Sequence, residues 1–315
     1  MDGELATIYF RDNLEVTKEQ LEILIKQKKE DLSRLEKNGK DYHYIQELSN
    51  LALMQLEAEM YDESEANLKT CLKHFEKQPD RLGQAALFGI LGTLFFKMQE
   101  YQKAIDNYSK AFEIYKVLNQ FEEQIICLKG IGNSLIALNE LEEAIEIFIE
   151  CSAICSDKDD IYNLLECIGN LIFIYETKED WDVLYELYIK ALNGFKQLDD
   201  KMGMITSHFN LGIILKKQQN YRKAFENFKS GTKLARDANY AETIIKGLGY
   251  VGECLFYLGK VNDAKNKFIE ALLMAKDIKA ENAVTQLQIL LNSLGLNERL
   301  IDEELKKRQE RPNST

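Results

Sequence analysis

The apolar positions of the chain recur at helical spacing in short runs, and the runs recur at a fixed interval. In Arg81–Gln120, Phe88, Leu91, Gly92 and Phe95 share one helical face, a polar break follows at Gln99–Glu100, and Tyr101, Ala104, Tyr108 and Ala111 resume the spacing. Two amphipathic helices joined by a short turn are predicted from that pattern. A shift of 40 residues reproduces it. Tyr101 has counterparts at Tyr61, Leu141, Trp181, Tyr221 and Val261; Ala104 at Ser64, Ala144, Leu184, Ala224 and Ala264. Tyr108 corresponds to Leu68, Phe148, Tyr188, Phe228 and Phe268; Ala111 to Cys71, Cys151, Ala191, Gly231 and Ala271; and Gly92 to Ala52, Gly132, Ile172, Gly212 and Gly252. Small residues in the Gly92 and Ala104 columns let the two helices of a hairpin approach closely. The bulky Tyr108 column fills the space between hairpins. Neither helix can bury its apolar stripe alone, so neighbours must stack.

These columns resemble the tetratricopeptide repeat, read here as Phe88-x2-Leu91-Gly92-x2-Phe95 followed by Tyr101-x2-Ala104-x3-Tyr108-x2-Ala111. The usual period of that family is about 34. The period of 40, with Glu76, Lys116, Ser156, Lys196, Arg236 and Lys276 where the family often has Pro, is similar to the longer-helix subclass found in the kinesin light chain and in spindle-orientation adaptors. The resemblance covers residues 41–278. It implies an all-α fold, a right-handed superhelical solenoid of helix hairpins with capping helices at both ends, whose first helices line a concave groove.

The remaining chain divides around the repeats. Residues 1–16 fit no repeat and carry an apolar cluster, Leu5, Ala6, Ile8, Tyr9 and Phe10, expected as a loosely docked arm or as a pseudo-ligand in the protein's own groove. Residues 17–40 are expected to form an N-terminal capping helix, with Thr17 and Gln20 as a capping box, a stripe of Leu21, Leu24, Ile25, Leu32 and Leu35, and a stop at Asn38–Gly39. Six repeats fill 41–280, expected as one continuous solenoid. A degenerate seventh repeat and C-terminal cap occupy 281–311, with Asn297 capping a last helix that turns Leu300, Ile301 and Leu305 inward. A disordered tail is expected at 312–315. The fourth hairpin departs most, with Ile172 in the Gly column and Leu184 in the Ala column, and is expected to separate.

Charge and composition narrow the function. Fifty-two acidic against 40 basic residues give a net charge of −12, which argues against nucleic acid, a ligand that needs a basic stripe. No apolar run reaches membrane-spanning length and no secretory leader precedes the repeats, so a cytoplasmic protein is expected. The six Cys read as buried reduced thiols: Cys71 and Cys151 stand in a small-residue column, Cys127 and Cys167 share another, and no C-x2-C pair occurs. Cys151 and Cys155, four apart, leave a metal site or a regulatory disulfide as the alternatives. The reading carries no cofactor and no metal. No nucleophile–base arrangement, phosphate loop or H-E-x-x-H is present, so an enzyme is not expected.

The resemblance places the binding surface on the first helices. It implies a groove in which Asn133, Asn170 and Asn210 hold the backbone of a partner's peptide or helix and Lys129 attracts an acidic group. Ile90, Phe96, Phe173, Phe209, Ile213 and Phe256 would receive apolar side chains. Lys129, Asn133 and Asn170 match half of the carboxylate clamp of relatives that bind acidic tails; its basic pair would fall at Thr206 and Asn210, which are neutral. The function expected is a non-catalytic interaction scaffold or adaptor with a protein or peptide partner. A self-assembling structural protein and a peptide-sensing regulator like the bacterial Rap proteins are the alternatives.

Overall fold

The computed structural model describes residues 17–37, 39–77 and 80–309. The expected arm (1–16) and tail (312–315) lie outside the described residues, and so does the question of what the arm touches. The described residues form helices and turns, with no strand among them. In chain order the helices are α1 (Lys18–Glu36), α2 (Tyr42–Glu57), α3 (Tyr61–Lys77), α4 (Arg81–Lys97), α5 (Tyr101–Val117), α6 (Phe121–Ala137), α7 (Leu141–Asp157) and α8 (Ile161–Thr177). There follow α9 (Trp181–Gln197), α10 (Lys201–Lys217), α11 (Tyr221–Asp237), α12 (Ala241–Tyr257), α13 (Val261–Asp277), α14 (Glu281–Ser293) and α15 (Glu298–Gln309).

From α3 to α13 every helix is 17 residues long, and the turns that follow α4 to α13 are built alike. The residue two beyond each of these helices, α4 to α13, takes a positive φ: Gln99, Asn119, Asn139, Asp159, Glu179, Asp199, Gln219, Asn239, Gly259 and Lys279 all do so, 20 residues apart. Around Gln99, the Glu100 N–H donates to the Phe95 carbonyl (2.9 Å) and the Gln99 N–H to the Phe96 carbonyl (3.0 Å). This paired closure satisfies carbonyls that a helix end otherwise leaves open. The opposite ends are closed by side chains in several helices: Asp80 accepts from the Gly83 N–H (2.9 Å), Asp200 from Gly203 (3.0 Å) and Asn220 from Lys223 (3.3 Å). The Thr17–Gln20 capping box forms in both directions, at 3.3 and 2.9 Å.

The chain divides within α8 into two compact units, one up to Cys167 and one from Ile168 onward. In the first unit, α2 to α7 pack each on the next, α1 rests on α2, and the first helices of successive hairpins also touch, α2 with α4 and α4 with α6. In the second, α9 to α14 pack in the same sequence, with α15 against α13 and α14.

Glycine columns set the spacing of these stacks. A Cβ at Gly92 would lie 2.6 Å from the Tyr108 ring, and a Cβ at Gly130 would lie 2.6 Å from the same ring. Tyr108 is therefore clasped between α4 of its own hairpin and α6 of the next. Gly132 meets Phe148 in the same way (2.6 Å), Gly212 meets Phe228 (2.6 Å) and Gly252 meets Phe268 (2.5 Å). In the first hairpin, where Ala52 and Ser64 hold the small columns, the Ser64 hydroxyl donates to the Ala52 carbonyl at 2.7 Å, so the two columns face each other directly. The fourth hairpin meets its bulk differently. Ile172 packs in one cluster with Leu184 and Tyr188. The Tyr188 hydroxyl donates to Glu176, a turn beyond Ile172 (3.0 Å), whereas Tyr108 meets Thr93, the residue next to Gly92 (3.0 Å).

At the C-terminal end Gly295, with φ +84, follows α14, and Asn297 Oδ1 accepts from the Leu300 N–H at 3.0 Å. Ile301 and Leu305 are buried, but Leu300 is not: it is 43% exposed, because it precedes Ile301 on the helix and falls off the narrow inward face.

The glycine contacts give a paired test. Gly132→Ala drives a methyl group into the Phe148 ring and should cost about 1–3 kcal/mol. Gly89→Ala, on α4 with no atom within 4 Å of the added Cβ, should instead stabilise by about 0.5–1 kcal/mol through helix propensity. Urea denaturation of both variants checks the signs; equal shifts would remove the ring–glycine contact as the spacing element.

Candidate functional site

The first helices present the face on which the expected binding residues fall, and each unit carries its own stretch of it. In the first unit α4 and α6 touch over Gly130, whose missing side chain admits the Tyr108 ring as a floor. Above that floor Phe96, Ile126, Lys129 and Asn133 enclose a hollow of about 260 Å³. Phe96 is held edge-on against Tyr101, with ring centres 5.5 Å apart. Ile126 is 60% exposed beside it. The Tyr108 hydroxyl is engaged by Thr93, and burial holds its pKa above the ordinary phenol value. Ile90, one turn before Leu94 on α4, is half-buried and does not line the hollow.

In the second unit Asn210 and Ile213 of α10 are half-buried, Phe173 of α8 is 53% exposed and Phe256 of α12 is 45% exposed. Phe256 meets Tyr257 edge-on (5.7 Å), and Tyr257 stacks on Tyr221 (4.5 Å). Asn170 is half-buried and engaged by other groups of the chain.

Two expectations need correction. Phe209 is not a receiving surface. It is 6% exposed, set edge-on to Tyr250 at 5.8 Å, and its ring lies where a Cβ on Gly231 or Gly247 would have to go. Its column turns inward here because glycines on both neighbouring helices make room for it. Lys129 is not a free cation either. Its ammonium donates to Asn163 Oδ1 at 2.9 Å and pairs with Glu166, both on α8.

That pairing recurs. Lys216 of α10 donates to Glu253 of α12 at 2.6 Å, again 37 residues on, and lies 5.6 Å from the Tyr250 ring centre. Lys97 of α4 reaches Glu57 of α2 at 3.2 Å. The first-helix face thus ties its own helices together by cation–carboxylate contacts. A Lys followed 37 residues later by Glu is one repeat less a helical turn, and that spacing was visible in the chain before folding. Tyr250, stacked on Phe228 at 4.6 Å, is a further aromatic of this face. His208 is half-buried, with Nδ1 3.1 Å from Asn227 Oδ1 and its pKa lowered by burial, as suits a packing residue. No described helix is long and apolar enough to cross a membrane.

A family model described as tetratricopeptide repeat matches residues 45–116 and 160–237. A TPR repeat-containing protein of Methanocaldococcus jannaschii is 24% identical over 219 residues, a match covering 67% of this chain and 35% of that relative. The chain thus aligns to about a third of the relative's length. Among solved structures, BtubC (BKLC) from P. vanneervenii superposes with a TM-score of 0.55 at 17% identity, over 71% of this chain and 92% of that one. The apo form of RapI superposes at 0.50 with 15% identity, over 81% and 98%. At such identities the likeness is one of fold.

The ion pair at Lys129 yields a prediction. With Glu166 in place, an approaching carboxylate must displace it, so salt should have little effect on the binding of an acidic peptide. Glu166→Gln releases the lysine charge and should make that binding fall as ionic strength rises. The stability change should stay under about 1 kcal/mol, the range of exposed pairs. Titrations with an acidic peptide at low and high salt, beside thermal melts, check both parts.

Proposed function

The chain is a tetratricopeptide-repeat protein, and on that premise we propose that it is a non-catalytic interaction scaffold whose first-helix faces hold a segment of a partner protein. The observation that carries this reading is the hollow on α4 and α6: an aromatic floor, apolar walls at Phe96 and Ile126, and an Asn amide at the rim. An extended peptide brings backbone N–H and C=O groups that cost about 1–3 kcal/mol each if buried without partners. The Asn133 side chain supplies both a donor and an acceptor, so it holds such a backbone without reading its side chains. An apolar side chain of the peptide then enters the hollow. In the second unit Asn210 with Ile213, and the exposed Phe256 beside Tyr257, offer the same pairing of an amide with apolar surface.

The division into arm (1–16), N-terminal cap (17–40), six repeats (41–280), degenerate seventh repeat with cap (281–311) and tail (312–315) belongs to the same proposal. So does a reducing, cytoplasmic setting, which six free thiols suit.

The test is a displayed random-peptide library selected on the full chain. Selected peptides should carry a large apolar residue. Asn133→Ala should weaken them by about 1–3 kcal/mol, Ile126→Asp should abolish retention, and neither variant should shift the melting temperature. Peptides that bind both variants as they bind the parent would move the binding surface away from this face. Light scattering over a range of concentrations covers the rival: a species that grows with concentration, with no peptide selected, would favour self-assembly.

A further inference from the structure

Cys151 and Cys155 stand one turn apart on α7, and Cys167 faces them from the first half of α8. The three Sγ atoms all lie within 4.8 Å of one another, and all three side chains are fully buried. We propose that these thiols form a binding site for a soft, thiophilic metal ion of low coordination number, copper(I) being the cellular ion of that class.

The repeat has no structural need for the cluster. Position 155 corresponds to Phe75, Tyr115, Phe195, Ala235 and Ala275 in the other hairpins; position 167 corresponds to Leu87, Cys127, Ser207 and Gly247. Position 151 is Ala at 111, 191 and 271. Packing is satisfied by other residues at each place, and only here do sulfurs occupy all three. Cys127, which shares the column of Cys167, faces Ala111 and Tyr115 at the corresponding positions and so has no thiol partners there.

The geometry suits three-coordination. A metal–sulfur bond of about 2.3 Å in a planar trigonal arrangement sets the sulfurs about 4 Å apart, a spacing the cluster reaches by small side-chain rotations. Among the described residues no other His, Cys, Asp or Glu joins the group. Soft thiolates suit both copper(I) and zinc, but zinc in structural sites takes four protein ligands and would lack one here, whereas copper(I) accepts three. Binding exchanges protons for metal without change of oxidation state: three S–H bonds release their protons to solvent and three S–Cu bonds form.

The experiment uses the reduced full-length chain, titrated anaerobically with copper(I) against a chromophoric copper(I) chelator. The expected result is one ion per chain, with an ultraviolet thiolate-to-copper charge-transfer band. Cys151→Ala places in that column the residue three other hairpins already carry, so it should fold and melt normally. It should lose copper affinity by more than the roughly 10–100-fold expected for loss of a merely supporting residue. Cys71→Ala, in the same column of another hairpin, should bind as the parent does. The proposal is overturned if the parent retains no copper, if Cys151→Ala retains it equally, or if zinc displaces copper at one ion per chain. It is also overturned if the isolated protein yields fewer than six titratable thiols without added reductant and with the cluster oxidised.

Discussion

The stacks depend on one contact, an aromatic ring laid against a helix at a glycine. Where Gly92 and Gly130 both meet Tyr108, each of two helices approaches to a distance that no side chain would permit. A buried ring removes roughly 150–250 Å² from water, an upper value of about 4–6 kcal/mol before the cost of ordering the chain. That gain is available only while the glycine stays bare. The contact also shapes the first-helix face. By drawing α4 and α6 together it makes Tyr108 the floor of the hollow between them.

The uniform turn is the second constraint. A residue with positive φ at every twentieth position from Gln99 to Lys279 closes each of the helices α4 to α13 by the same pair of backbone bonds. Ten of these turns run from Gln99 to Lys279, and only that at Gly259 uses glycine. The other residues accept a conformation that costs L-residues about 1–2 kcal/mol, and the paired carbonyl closure offsets it. Equal helices and equal turns keep the columns in register, so that a residue and its counterpart 40 positions later meet equivalent surroundings.

Register is also what makes departures informative. Ile172 and Leu184 break the small columns together, and Tyr188 turns toward Glu176. One hairpin earlier, sulfur replaces the usual residue at 151 and 155 and meets Cys167. On the first-helix face the charges are spent internally, Lys129 on Glu166 and Lys216 on Glu253. On the proposed function, recognition on that face would rest on shape and on side-chain amides more than on long-range attraction. This is why the neutral residues at Thr206 and Asn210, where a carboxylate clamp would have cations, fit the rest of the surface.

The all-α class, the hairpin unit and its period were legible in the chain alone, because a 40-residue repeat of small and bulky columns has one economical packing. The capping box at Thr17 and the helix start after Asn297 were legible for the same local reason: each needs only residues three apart. Tertiary structure decided what depends on neighbours from other hairpins. Phe209 and Phe256 look equivalent as helical apolar residues, yet glycines at 231 and 247 bury the first, and the second stays exposed. Lys129 reads as a free cation until α8 brings Glu166 to it. Except at Gly259, the turns were visible only as polar breaks, since their positive φ is carried by Asn, Asp, Gln, Glu and Lys in place of the glycine that would have announced it. The thiol cluster follows the same rule: two of its members share a helix and could be paired on paper, but the third arrives from the next helix, and only packing sets three sulfurs within 4.8 Å.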